Sequence, residues 1–529
     1  MGWFGCEKDS DDFGRLFKSG LNMTMAFLTD KAKKAIHFLN GTDGTLRKKT
    51  IRSGFWVGVS SLVTNTLAFV RSIVLARLLM PEIFGLMTIA SIAIRSLETF
   101  TQAGLESALI HRQKSFEEAR DTTFTLLVVR GFMLALITFI VSPLVAIYYE
   151  RPVLETIIKI IAITFILKGF RNINTIACRK ELDFKRLAYF EQAAAVISFV
   201  IVVTLAYFLR SIWALVIAQV AGSFMEAVMS FVIIPGRPRF RFDKKIAKEL
   251  FGYGKFVTGL AIVVFISSEI DNALVGKVLG MNALGYYVMA YTLANLPASH
   301  ITNLVSKIML PAYSKLQSDL PALRNAYLKV LRTVATLALP VAAGMLILSH
   351  DVVLVVYGEK WLPAVAALQV LVIYGLLRSI QANAGPVFFA LGKPNIPFYI
   401  NMVRLSLIAV SIYPLTKAYG IVGTAISVTA TIILLQFLAW HYLTAQLRCS
   451  FATIFKELAT PVISTLGMCA TLLLIDTYAL WSGFHILKSV ELFLNIFVGF
   501  IAYTLIYIIV SLHNGEVEFF KSLSKIPKS

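Results

Sequence analysis

Apolar runs of about twenty residues recur along this chain, and that repetition limits the possible folds more than any motif does. Fourteen can be drawn, at 53–79, 84–110, 122–147, 156–177, 188–208, 212–234, 251–278, 284–310, 325–349, 364–391, 397–415, 420–442, 457–476 and 489–512. A helix of about twenty residues spans the roughly 30 Å hydrocarbon layer of a membrane. Lipid offers no partner for backbone N–H and C=O groups, so runs of this length read as helices. A soluble fold fails on composition, because 57% of the residues are hydrophobic and only 15% charged. Soluble domains carry about 25% charged residues, and no single core grows large enough to bury so much apolar surface. The expected fold is an all-α polytopic membrane protein of about 14 transmembrane helices.

The net charge of +20 reports topology rather than a nucleic-acid partner. Lysines and arginines avoid the apolar runs and collect in alternate connections. The side holding the N-terminus has 31 of them and the other side 5. By the positive-inside rule both termini are cytoplasmic and the number of spans is even. The first twenty residues contain Glu7, Asp9, Asp11 and Asp12 and no apolar stretch, so no cleavable signal peptide is expected. Residues 13–39 mix apolar and basic side chains. They read either as an amphipathic helix on an anionic membrane surface or as a weakly ordered basic tail.

The chain repeats itself. Sliding it by 200 positions places Arg71 on Asp271, Arg77 on Lys277, Gly85 on Gly285 and Ala90 on Ala290, with run lengths and connections matching. The basic, proline-broken stretch Pro235–Arg239 divides two sets of six spans. Both sets enter from the same side, so they form two parallel six-helix lobes related by a pseudo-two-fold axis along the membrane normal, with two extra helices beyond. The implied segments are 1–50, a cytoplasmic basic region; 51–236 and 237–445, the lobes; and 446–529, the last two spans and a tail.

Charges inside a bilayer cost several kcal/mol and persist where they face a cavity or a partner. Arg71 lies deep in the first run. Ser91, Arg95, Glu98, Gln102 and Glu106 recur at steps of three and four in the second, along one helix face. The seventh carries Ser268, Glu269, Asp271 and Asn272, and the eighth Tyr291, Asn295, Ser299, Thr302 and Ser306. Lys168, Arg171, Asn172 and Thr175 cluster in the fourth, and Arg378 with Gln381 in the tenth. These stripes predict a water-filled cavity between the lobes, lined chiefly by spans 1, 2, 7 and 8. Its arginines suit phosphate oxygens. Glu98, Glu106, Glu269 and Asp271 are candidates for coupling to H+ or Na+. In a second reading Arg95 and Glu98 neutralise one another at i, i+3, and Arg77, Lys277 and Lys307 snorkel from span ends.

Soluble-enzyme signatures are missing. The sequence has no Walker A loop, no His-Glu-x-x-His and no Cys-x-x-Cys. Four cysteines and seven histidines are dispersed without metal or disulfide spacing. No cofactor, no metal and no enzymatic activity are expected. The longest connection on the charge-poor side, 350–363, is too short for the external domain that polymerases and ligases acting on sugars generally need.

Leu75-Ala-Arg-Leu-Leu-Met-Pro-Glu-Ile-Phe-Gly-Leu86, Gly104-Leu-Glu-Ser-Ala-Leu-Ile-His-Arg-Gln113 and Arg179-Lys-Glu-Leu-Asp-Phe184 resemble the bacterial polysaccharide transporters. These are the Wzx-type lipid-linked oligosaccharide flippases of the multidrug/oligosaccharidyl-lipid/polysaccharide exporter superfamily. The resemblance runs over about residues 50–445. It implies a twelve-helix core with two added helices in the inner membrane, flipping an undecaprenyl-pyrophosphate-linked repeat unit by alternating access. It also implies a polysaccharide polymerase and a chain-length regulator as partners. Arg71-Ser-Ile-Val-Leu-Ala-Arg77 fits the Arg-x-Ile-Val-x-Ala-Arg context of lipid II flippases, but their paired second-helix arginines are not matched, which argues against lipid II as substrate. The rival readings are a cation-coupled drug exporter, whose cavity would be dominated by carboxylates and aromatics, a membrane-embedded transferase, and a scaffold without transport.

Overall fold

A computed structural model of the chain describes residues 46–101, 109, 116–181, 183–477 and 487–514, without the side chains of 46–55, 57, 59, 62, 249–261 and 297–308. Helix dominates, and no strand occurs among the described residues. The first half comprises α1 (Leu46–Leu78), α2 (Pro81–Phe100), α3 (Phe116–Tyr148), α4 (Val153–Gly169), α5 (Asn174–Lys180), α6 (Phe184–Leu209) and α7 (Ile212–Ile233). The second comprises α8 (Lys244–Val278), α9 (Gly280–Lys315), α10 (Leu320–Ile347), α11 (Ser349–Val352), α12 (Val365–Gln381), α13 (Ala384–Ala390) and α14 (Asn395–Leu447). Helices α15 (Phe451–Thr477) and α16 (Lys488–His513) follow, packed on each other and on α10.

Among the described residues, nine helices are long and apolar enough to cross a membrane. One of the nine, α14, is a hairpin. It turns at Tyr419–Gly420, and its arms lie side by side with Thr416 bonded to Thr424 and Ser411 to Ser427, both at 2.7 Å. Outward faces are apolar, as Leu136, Ile140, Leu144 and Ile147 show on α3 and Phe493, Phe497 and Phe500 on α16. A multi-pass membrane protein is the outcome.

Two of the drawn spans are broken. The run at 156–177 divides into α4 and α5, and the break is stitched to the end of α7. Asn172 is fully buried there and donates to the carbonyls of Ser230, Ile234 and Gly236, while its own oxygen accepts from Asn174. Buried amides need such partners, so Asn172, expected in a polar cavity cluster, holds a chain bend instead. The run at 364–391 likewise divides into α12 and α13.

The halves meet most closely on the side where α1 ends and α2 begins, termed here the far side; the opposite face, where α1 starts, is the terminal side. One apolar core runs through both halves there, joining Ala76, Ile89 and Ile94 to Val275, Met281, Leu284 and Trp361. Towards the terminal side each half has its own core, around Phe124 and Ile173 in the first and around Tyr327 and Leu443 in the second. Helices α2 and α9 cross at two reciprocal glycines. A Cβ on Gly85 would lie 2.0 Å from the Met281 carbonyl oxygen, and one on Gly285 would lie 2.0 Å from that of Pro81. Both residues of each contact are 200 positions from their counterparts. The repeat read from the sequence is thus a two-fold contact in space.

Candidate functional site

Where the halves diverge they enclose a chamber of about 950 Å³. Its wall takes Thr64 and Arg71 from α1, Thr88, Ser91 and Arg95 from α2, and Ser268, Glu269 and Asn272 from α8. The second half completes it with Tyr291 of α9, Tyr374 and Arg378 of α12 and Arg404 of α14. The expectation that spans 1, 2, 7 and 8 chiefly form the lining needs correction. Helices α6 and α7 provide a broad wall of small and polar residues, among them Glu191, Ala194, Ser198, Gln219, Gly222, Ser223 and Glu226.

Arg71 faces the chamber with no hydrogen bond or ion pair among the described residues. Arg95 does not neutralise Glu98. It bridges the halves to Glu269 at 3.0 Å, while Glu98 pairs with Lys168 at 3.2 Å away from the chamber lining. A helix places i and i+3 side by side, yet each charge here finds a stronger claim on another helix. Arg378 lies on the wall and donates to Asn295 at 2.9 Å, which is buried behind it. Arg171 stands outside the lining and pairs with Glu226 at 3.1 Å. Asp271 is buried and accepts from the Tyr287 hydroxyl at 2.8 Å and the Asn272 backbone at 2.8 Å. Gln102 and Glu106 lie outside the described residues, as does the side chain of Ser299.

Three wall residues escaped the sequence reading. Arg404 sits well inside the apolar run 397–415 and donates to the Tyr374 hydroxyl at 3.0 Å, with Tyr291 beyond it at 3.2 Å. The signal was the one that singled out Arg71, a guanidinium inside a span. Glu226 is likewise a lone carboxylate within a run, and Glu191 lies only three residues inside the run at 188–208. Glu191 accepts from Ser60 at 3.2 Å and has no cation partner among the described residues. The neighbouring Gln192 donates to Ser60 and Thr64, tying α6 to α1.

Arg77 and Lys277 both have partners across the halves, and the side chain of Lys307 lies outside the described residues. Arg77 donates to the carbonyls of Val355 and Val356 in the turn between α11 and α12. That turn, expected as loop, is built of a π-turn at Val353–Tyr357 and a 3₁₀ helix at Glu359–Ala364. Lys360 and Trp361 return bonds to the open carbonyls ending α1, those of Ala76, Arg77 and Leu79, at 2.9 to 3.0 Å. Lys277 reaches Glu150 of the first half at 2.9 Å.

Two helical halves sealed on one side around a polar, arginine-bearing chamber define a membrane carrier. The family model "Polysaccharide biosynthesis protein" matches residues 74–366, more than half of the chain, and the chain belongs to that family. It is 28% identical over 368 residues to the teichuronic acid biosynthesis protein TuaB of Bacillus subtilis (strain 168), covering 69% of this chain and 76% of that one. It is 25% identical over 400 residues to the lipopolysaccharide biosynthesis protein WzxC of Escherichia coli (strain K12), covering 74% and 80%. Its fold is that of lipid II flippase MurJ in an inward closed conformation, with a TM-score of 0.70 at 14% identity over 86% of this chain and 98% of the other.

Proposed function

We propose that this protein flips a polyprenyl-pyrophosphate-linked oligosaccharide across the cytoplasmic membrane for surface polysaccharide synthesis. The observation that carries the reading is Arg71, a guanidinium in a sizeable chamber with no partner among the described residues, with Arg378 and Arg404 held towards the same space by neutral hydrogen-bond partners. Guanidinium forks match phosphate oxygens, and an unpartnered charge within the membrane has its natural partner in a ligand. A drug exporter of the same superfamily would be expected to line its chamber mainly with carboxylates and aromatics. Here four arginines stand with three glutamates, and two of the glutamates are already paired.

In this reading both termini are cytoplasmic, and the chamber takes the pyrophosphate and sugars from that side while the polyprenyl tail stays in lipid between the halves. The halves then rock about the bound headgroup, opening the far side as the terminal side closes. The Arg95–Glu269 bridge joins the halves within the chamber and would rearrange in that motion. Glu269 and Asp271 are the carboxylates through which a proton or sodium ion would couple. A polymerase and a chain-length regulator would act on the product.

Replacing Arg71 with Ala should lower surface polysaccharide by roughly ten- to a hundredfold, since a charged hydrogen bond contributes about 1.5–3 kcal/mol. The measurement is polysaccharide on cells in which membrane levels of the variant match wild type. Undiminished export at matched levels would refute the reading.

A further inference from the structure

The chamber is polar in two opposite senses. Its second-half face and Arg71 present guanidinium groups and tyrosine hydroxyls. Its α6–α7 face presents small side chains, Gln219 and two carboxylates. Ion pairs within the protein account for three of the seven wall charges, Arg95 with Glu269 and Glu226 with Arg171. Among the described residues, the wall charges left without an ion pair are Arg71, Arg378, Arg404 and Glu191. This remainder is net positive, as binding of a pyrophosphate diester requires.

The position of Glu191 says which part of a ligand it meets. It accepts from Ser60, and its neighbour Gln192 bonds to Ser60 and Thr64. Arg71 lies seven to eleven residues further along α1, roughly 10–16 Å at about 1.5 Å per residue. Glu191 therefore stands towards the terminal side of the chamber, a sugar ring or two from phosphates held at Arg71. The chamber wall around it is built of small side chains, Ala194, Ala195 and Ser198 on the same helix and Ser223 on α7, with Gly222 packed against Ser198.

We infer that Glu191 is a specificity-determining residue that reads the first sugars next to the pyrophosphate. It accepts hydrogen bonds from their hydroxyl, amide or amino groups and rejects a uronate there. This rests on the flippase reading and adds a substrate class to it: a glycan whose phosphate-proximal sugars are neutral or amino-substituted, whatever charge its distal sugars carry. A carboxylate facing a carboxylate in a partly desolvated chamber is repelled far more strongly than in water, whereas a hydroxyl or amide gains a charged acceptor.

The test uses the full chain in lipid nanodiscs and three probes: farnesyl pyrophosphate, farnesyl-pyrophosphate-linked N-acetylglucosamine and farnesyl-pyrophosphate-linked glucuronic acid. Wild type should bind the N-acetylglucosamine probe at least about tenfold more tightly than the glucuronic acid probe. Glu191→Gln should bring the two within about threefold while leaving farnesyl pyrophosphate itself unchanged, which a merely misfolded chamber would not do. Equal binding of the two sugars by wild type, or a preference that survives in Glu191→Gln, overturns the proposal and leaves the flippase reading standing. Failure of folded wild type to bind any of the three, or Arg71→Ala binding them as wild type does, overturns both.

Discussion

The two halves carry the same latch at equivalent places and build it very differently. Arg77 and Lys277, 200 positions apart, end the equivalent helices α1 and α8, and each reaches across to a turn of the opposite half. At Arg77 the turn is an ordered structure. Trp361 and Tyr357 are fully buried, and Arg77, Lys360, Trp361 and Ser72 all bond between α1 and that turn. Lys360 and Trp361 satisfy carbonyls that a helix end otherwise leaves open. At Lys277 the partner turn is a few residues long. The cross-half bonds are those of Lys277 to Glu150 and of the Tyr149 hydroxyl to the Ala273 carbonyl at 3.2 Å, with the lysine over the Tyr148 ring at 5.1 Å. Duplication supplied two equal places for a latch, and only one became a buried structure. If the far side must open to release a sugar, the α8 seam should part first and the α1 seam should set the barrier.

The contact common to both halves is the place to break that comparison hardest. Gly85→Ala and Gly285→Ala each place a methyl carbon 2.0 Å from a backbone carbonyl oxygen, of Met281 and Pro81 respectively. Neither helix can yield locally, because the obstacle is main chain, so α2 and α9 must separate. Thr88 on the chamber wall is a suitable reporter. With Thr88→Cys in a background lacking the four native cysteines, far-side labelling by an impermeant maleimide should rise by at least about tenfold in both variants, and about equally. An effect confined to one glycine would show that the two-fold contact is not shared in function.

The latch residues sharpen the comparison with a smaller effect. Trp361→Ala removes a fully buried ring and its bond to Ala76, a loss of about 3–5 kcal/mol by the usual scale of such truncations. Arg77→Ala removes two bonds to main-chain carbonyls, and Lys277→Ala removes one solvent-exposed pair, the weakest kind of ion pair. Far-side labelling of Thr88→Cys should therefore rise in the order Trp361→Ala, Arg77→Ala, Lys277→Ala, with the last within about threefold of wild type. Equal effects of Arg77→Ala and Lys277→Ala would contradict the assignment of the barrier to the α1 seam.

Helices, repeat and chamber were legible in the sequence because each leaves a one-dimensional trace. A span is a run of apolar residues, the 200-residue echo aligns Gly85 with Gly285, and Arg71 stands alone inside a run. Partners leave no such trace. Whether Arg95 answers Glu98 three residues away or Glu269 on another helix depends on how α2 and α8 cross, and that crossing is set by packing distributed over both halves. Asn172 looked like a chamber residue because a buried amide that stitches a bend and one that meets a ligand have the same composition. The α6–α7 wall was invisible for the opposite reason. Alanine, glycine and serine in an apolar run read as ordinary helix packing, and only the structure shows that here they border space.

The smallest expected effect concerns the weaker latch and pH. Glu150 lies in the turn between α3 and α4, outside the spans, and the hydrogen bond and charge of Lys277 hold its carboxyl below the usual carboxylate range. A lowered value means that the ion pair's contribution is complete above the ordinary glutamate value of about 4.3 and is lost only as pH falls through the lowered one. Between pH 5 and 8 Glu150 stays ionised, so far-side labelling of Thr88→Cys, corrected for the intrinsic reactivity of the thiol, should not vary through its carboxylate. Glu150→Gln should leave that flat profile unchanged and shift its level by less than about twofold, since an exposed pair is weak. A wild-type profile that rises between pH 6 and 8 and flattens in Glu150→Gln would show that this seam titrates with the medium. The α8 side would then be the pH-sensitive part of the closure, and the barrier could not rest on the α1 seam alone.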